Sequence, residues 1–211
     1  MIVGILLAAG KSSRFAAANS ISGSQNLGSQ TPGSQKPGSQ KLLAELPNQY
    51  GKRVIEVSAA NLLRAVGRVI AVTHRDEKLM RVLDDCGCQV VVNARAEEGM
   101  GTSIAAGVNA SLDADGWIIA LGDMPYVEPE TIRAVCEALI AKNQIVIPAY
   151  RGRRGHPVGF ARQYGKALCL LLGDVGAKSI IDTAENASHL LQINVNDAGI
   201  VKDIDVPSDL A

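Results

Sequence analysis

Short runs of β-branched and aliphatic residues recur along this chain, most of them followed by a longer stretch with helical periodicity, and that alternation constrains the fold more than any other feature. The runs are Val69 to Thr73, Gln89 to Val92, Trp117 to Leu121, Ile145 to Ile147 and His189 to Val195, with Met1 to Ala9 reading as a buried first strand. Helices are predicted over Val54 to Val66, Asp76 to Asp85, Thr102 to Leu112 and Pro129 to Ala141. Pro129 suits the first turn of a helix, and Glu130 complements the positive end of its dipole. Strands apolar on both sides, alternating with helices, predict a mostly parallel sheet covered on both faces. Only 3% of residues are aromatic while 47% are apolar, so the core must be built from Leu, Ile, Val and Ala. The 211 residues suit one domain and are short for two.

One segment breaks the pattern. From Ala16 to Gln40 the composition turns to Gly, Ser, Gln, Asn, Ala and Pro, with a Gly-Ser-Gln triplet starting at Gly23, Gly28, Gly33 and Gly38. A five-residue period without an apolar face cannot offset chain entropy, so about 16–40 is expected to be a flexible insertion within a single 1–211 domain. It is no domain linker, because only about fifteen residues precede it.

Equal numbers of basic and acidic residues, 21 each, argue against a general nucleic-acid binder. No apolar run approaches the roughly 18 residues that span a bilayer. The opening residues lack the basic flank of a signal peptide, and a cytoplasmic protein is expected. Cys86, Cys88, Cys136 and Cys169 have neither C-x-x-C spacing nor the density of a disulfide scaffold. They read as small buried hydrophobes.

In parallel sheets ligands bind beyond the carboxyl ends of the strands. The first strand runs into Leu7-Ala8-Ala9-Gly10-Lys11-Ser12-Ser13-Arg14, where small residues allow a ligand close to the backbone. Successive amides there can form an anion nest, with Lys11 and Arg14 adding charge. The Gly10-Lys11-Ser12 sequence lacks the upstream glycine of a Walker loop. After Trp117 to Leu121 comes Gly122-Asp123-Met124-Pro125, a carboxylate held between turn residues at a strand end. Magnesium favours one or two carboxylates plus substrate phosphates, so Asp123 is the first candidate ligand, with a helix-capping role as the alternative. Asp203 and Asp205 flank Ile204 and would share a face in an extended stretch; only one of them need reach the metal, and Asp209 can cap or solvate a terminal turn.

Leu-Ala-Ala-Gly-x-Ser-Ser-Arg, Lys41-Leu42-Leu43, Glu98-Gly99-Met100-Gly101-Thr102-Ser103, Leu121-Gly122-Asp123-Met124-Pro125, Arg154-Gly155-His156-Pro157-Val158-Gly159-Phe160 and Asp203-Ile204-Asp205-x-Pro207-x-Asp209 resemble, in this order, the molybdenum cofactor nucleotidyltransferases. With Ala9 where guanylyl enzymes carry glycine, the resemblance is to the cytidylyltransferases. It implies a single Rossmann-like three-layer α/β domain with a mixed, mostly parallel sheet, like the nucleotide-diphospho-sugar transferases. It also implies Lys41 as the phosphate-contacting lysine and, with Arg14 and Asp123, part of the catalytic set. Leu7, Ala8, Ala9, Gly10, Lys11, Asn93, Gly101, Thr102 and Ser103 would bind nucleotide; capping the following helix is the alternative for Thr102 and Ser103. Arg154 and His156 would face the acceptor, a solvated basic hairpin being the alternative for Arg151, Arg153 and Arg154. Asp123 and Asp205 would hold Mg2+. His74 and His189 are expected to be structural or solvent-facing.

The implied reaction moves CMP from CTP to the phosphate of a molybdopterin-type acceptor, releasing pyrophosphate, with transient contact to a molybdoenzyme or its chaperone. GTP or another small phosphorylated acceptor is the nearest alternative. A nicotinamide oxidoreductase is disfavoured by the missing three-glycine spacing. A non-catalytic delivery protein for a molybdoenzyme would be expected to show a degenerate site.

Overall fold

The computed structural model describes residues 1–10, 15, 37–47, 49–142 and 144–210. Its regular elements, in chain order, are β1 (Ile2–Leu7), α1 (Pro37–Leu42), α2 (Val54–Val66), β2 (Val69–Thr73), α3 (Glu77–Asp85), β3 (Gln89–Val92), α4 (Met100–Asn109) and β4 (Gly116–Leu121). They continue with α5 (Pro129–Lys142), β5 (Ile145–Tyr150), β6 (Arg153–Arg154), β7 (Val158–Ala161), α6 (Gly165–Cys169), α7 (Lys178–Asn186) and β8 (Leu190–Asn194). Short 3-10 turns include Ala96–Glu98, Gly173–Val175, Ala198–Val201 and Pro207–Leu210.

The strands form one sheet in the order β3-β2-β1-β4-β7-β5-β6. Parallel pairing joins β1 to β2 and β4, β2 to β3, and β5 to β8. β7 runs antiparallel between β4 and β5, and β6 continues along the same edge of β5. The sheet is thus mixed and mostly parallel. Its parallel half sends the carboxyl ends of β1 to β4 to one side.

Side-chain alternation along the strands builds the two outer layers. Leu6 and Ile118 pack with Ile55 and Leu62 of α2 and with Val135 and Leu139 of α5. Their neighbours Ile5, Trp117 and Ile119 face the other way, onto Ile104 and Val108 of α4 and Leu168 of α6. Helix α2 buries Val54, Ile55, Ser58, Ala59 and Leu62, a stripe at helical spacing, and stops at Gly67, whose φ of 74° closes the last turn as its amide donates a hydrogen bond to the Leu63 carbonyl. Truncating Leu62, which is 0% exposed, to Ala would cost about 2–5 kcal/mol.

Several boundaries depart from the sequence expectation. Helix α4 starts two residues earlier than predicted and ends at Asn109, and β5 runs on to Tyr150. Elements β6, β7, α6 and α7 are additions. Most of the insertion, including Lys11 and Arg14 on its approach, lies outside the described residues. At its far end Pro37 to Gln40 belong to α1, and Ser39 is fully buried.

Candidate active site

At the carboxyl ends of β1 to β4 opens a cavity of about 370 Å3. Its lining includes Leu7, Ala9 and Gly10 from the first loop, Lys41 from α1, Ser103 from α4, Asp123 after β4 and Asp205 from the C-terminal tail. Seven sequence-predicted residues therefore meet at one place. Each arrives there for a physical reason.

Asp123 sits in a turn fastened from below. The Gly122 amide donates to the Leu7 carbonyl at 2.9 Å, and Ser58 Oγ of α2 donates to the Gly122 carbonyl at 2.9 Å. Asn61 Nδ2 donates to the carbonyls of Pro125 and Val127 at 3.1 and 3.0 Å. The tail is tied to the same turn: the Ile204 amide donates to the Asp123 carbonyl at 2.9 Å, with the Ile204 side chain 0% exposed. Burying Ile204 between its flanking aspartates brings Asp205 to the cavity. Asp209 accepts the amides of Asp205 and Val206 at 2.8 and 2.9 Å, and these bonds hold its carboxyl below the usual range. The expected capping role of Asp209 is observed.

Lys41 Nζ lies 2.6 Å from Asp123 Oδ2 and 3.6 Å from Asp205 Oδ1. An ammonium buried this far needs opposite charge nearby. Two carboxylates that converge on one cation also suit a hard divalent ion, which takes oxygen donors and leaves positions for substrate phosphates. Among the described residues no group of three or more His, Cys, Asp or Glu side chains forms a complete metal cage.

The opposite wall is a hydrogen-bonded shelf. Asn93 Nδ2, just past β3, donates to Thr102 Oγ1 and Ser103 Oγ, both at 3.0 Å, and Asn93 Oδ1 accepts the Arg95 amide at 2.9 Å. Thr102 Oγ1 contacts the carbonyls of Arg95 and Gly99 at 2.9 Å. Thr102 and Ser103 thus lie inside the first turn of α4; Gly99 stands at its N-cap with no side-chain cap, and only Ser103 faces the cavity. Asn93 and Thr102 support it from beneath. Gly99 has φ 125°, and a Cβ there would collide with the backbone of Gly173 and Asp174; a Cβ on Gly101 would come within 2.9 Å of the Gly173 carbonyl. These glycines let the 173–175 turn close the end of the cavity. That turn contributes Asp174, which the sequence reading missed because a lone acid in an irregular stretch carries no pattern. Gly99 itself, with Ala96, Leu42, Met100 and Leu121, completes the lining.

His156 and Arg154 stand apart. The His156 ring borders a neighbouring cavity of about 220 Å3 that shares Leu7, Met100, Leu121 and Asp174 with the first. Its Nδ1 is buried without a hydrogen-bond partner. Burial pushes the imidazole below its ordinary value, partly opposed by the charge of Asp123, the Ile119 carbonyl and the charge of Asp203. Arg154 points elsewhere: its guanidinium forks onto Glu185 at 2.9 and 2.6 Å, and its Nε reaches Gln192 at 3.0 Å. The structure does not bring Arg154 to either cavity.

Sequence and structure comparisons put the chain among the nucleotidyltransferases. It belongs to the family of the MobA-like NTP transferase domain, which matches residues 4–189. A nucleotidyl transferase from Methanothermobacter thermautotroptrophicus is 25% identical, with a TM-score of 0.77 over 99% of this chain and 94% of its own. Rv0371c from Mycobacterium tuberculosis is also 25% identical, with a TM-score of 0.72 and the same coverage. The 4-diphosphocytidyl-2C-methyl-D-erythritol synthase of Anaerococcus prevotii shares the fold at 14% identity and a TM-score of 0.69, covering 100% of this chain and 92% of its own. No curated protein sequence matches the chain. Among the described residues, no helix is long and apolar enough to cross a membrane.

Proposed function

We propose that this protein transfers CMP from CTP to the phosphate of a molybdopterin-type acceptor and releases pyrophosphate. The observation that carries the reading is the convergence of Lys41, Asp123 and Asp205 beside a loop of small residues at the strand ends. A phosphate oxygen of the acceptor attacks the α-phosphorus of CTP, the bond to the bridging oxygen breaks, and the electron pair leaves with pyrophosphate. The difficulty of this step is charge, because two anions meet and negative charge builds on the leaving group. Lys41 and the amides of Ala9 and Gly10, which line the cavity, offset that charge and hold the triphosphate in line. Asp123 and Asp205 are the residues that would hold Mg2+, which when bound neutralises phosphate charge. Arg14 belongs to the same proposal on sequence grounds alone.

The choice of CTP rests on Ala9, whose methyl group lines the cavity and leaves less room beside the backbone than the glycine of guanylyl enzymes. The pterin acceptor rests on the sequence resemblance, with His156 at the neighbouring cavity as the group expected to meet it. The test is pyrophosphate release with a molybdopterin-type acceptor, comparing kcat/KM for CTP and GTP. Preference for CTP supports the reading; equal values or a preference for GTP overturn the nucleotide assignment. Tight acceptor binding without pyrophosphate release would leave a delivery protein.

A further inference from the structure

The last Gly-Ser-Gln triplet of the repeat is folded into the site. Helix α1 lies across the end of β1 and is held from both sides. Ser39 turns toward the end of β2, where its Oγ is 3.1 Å from His74 Nε2. Lys41, two positions on and therefore on a different face of the helix, turns toward the end of β4 and Asp123. Strands β2 and β4 flank β1, so this one turn of helix spans two strand spacings, roughly 10 Å.

The Ser39 end is a closed polar cluster. Ser39 is 0% exposed and His74 8%. Asp76, which caps α3 by accepting the Leu79 amide at 3.0 Å, stands beside this pair, close enough for the Ser39 side chain and the charge of His74 to act on its carboxyl. Burial raises its carboxyl, but Ser39, the Leu79 amide, the His74 charge and the Lys78 amide together bring it below the usual value. Ser39 Oγ and His74 Nε2 are hydrogen-bonded partners, with the imidazole tautomer setting which of them donates. Each member fixes the orientation of the next. Buried networks of this kind are rigid when satisfied.

We infer that Ser39, His74 and Asp76 are positioning residues for Lys41, a latch that fixes α1 so that the ammonium stands between Asp123 and Asp205. Apart from Leu42, which is buried in the core, and the ion pair of Lys41 itself, this cluster is the side-chain anchor of α1 among the described residues. Releasing it frees the helix to pivot about Leu42 and carries Lys41 away from the carboxylates. The latch itself is independent of the proposed reaction; its consequence for nucleotide binding rests on Lys41 as the phosphate-contacting lysine.

Two measurements test it. The rate at which Lys41 reacts with a small acylating reagent, followed by peptide mass spectrometry, reports its protection without any nucleotide. Ser39→Ala and His74→Leu should each raise that rate by about fivefold, the scale of losing one buried hydrogen bond. His74→Gln, whose amide nitrogen can still donate to Ser39, should restore most of the protection. Affinity for CTP is then measured in a double-mutant cycle. Ser39→Ala should weaken binding about fivefold in the native background and have no further effect when Lys41 is already Met, because Ser39 acts through Lys41. Unchanged acylation in both Ser39→Ala and His74→Leu overturns the latch, as does an equal loss of CTP affinity with and without Lys41. Raised acylation with unchanged CTP affinity keeps the latch and removes Lys41 from the phosphate site.

Discussion

Asp123 has two separable duties. Its backbone carbonyl holds the Ile204 amide, and its side chain faces Lys41 at 2.6 Å. Asp123→Asn keeps the first and removes the charge of the second. The variant should fold, because packing is unchanged, and should lose at least about a hundredfold in rate, as expected for a major electrostatic contributor. Near-native turnover in a folded Asp123→Asn variant would remove Asp123 from the chemistry. His156 gives a second prediction at this scale. Its folded pKa lies below the ordinary 6.5 because burial dominates. The unfolded chain therefore binds the extra proton first, and stability falls as pH drops below 6.5 until the folded state is also protonated. Thermal unfolding followed against pH should show this slope in the native chain and a shallower one in His156→Gln. Parallel slopes would mean that the ring titrates alike in both states. The carboxylates held low by partners, among them Asp76 and Asp209, act in a separate window below their ordinary 3.8.

The elements differ in how much of them the sequence displays. Strands β2 and β3 and helix α2 match their predicted bounds, because a β-branched run or an apolar stripe is a local signal. Strand β7 is four residues with a glycine inside, directly after His156-Pro157, and its pairing with β4 and β5 is purely tertiary. Helix α1 is the sharper case. Gly-Ser-Gln has the composition of a loop, and contacts with distant segments hold Gly38 to Gln40 in a helix: the buried hydrogen bond between Ser39 and His74, the ion pair of Lys41 with Asp123 and the burial of Leu42. Among site residues the same division holds. Asp123, Lys41 and the first loop were marked by their place at strand ends or by resemblance, whereas Asp174 and the Ser39 latch depend on contacts between distant segments.

Two predictions belong to these elements. Gly99→Ala should destabilise the fold by about 1–3 kcal/mol through strain at a positive φ and should weaken nucleotide binding by pushing the 173–175 turn outward. Chemical denaturation and a CTP titration check both; a variant native in both would mean that the turn packs differently. Removing two repeat units, residues 23–32, roughly halves the 16–36 connection, so stability should change by no more than about 0.6 kcal/mol. A larger loss in chemical denaturation would make that stretch a packed part of the fold.

At the scale of the whole molecule, the parallel half of the sheet gathers four strand ends on one side, and the α1 helix and the C-terminal tail bring Lys41 and Asp205 to them. Residues separated by more than 160 positions in the chain thereby meet around one ammonium. The antiparallel half, β7 with β5 and β6, extends the same sheet toward His156 and the second cavity. The proposed division of labour follows from this layout: nucleotide over the parallel strand ends, acceptor where the sheet changes direction. The most direct test follows labelled phosphorus from CTP in the presence of Mg2+ and a molybdopterin-type acceptor. Label from the α-position should appear joined to the acceptor, and label from the γ-position should appear only in pyrophosphate, one for one. Transfer of the γ-label to the acceptor, or no transfer of either label, would contradict a cytidylyltransferase.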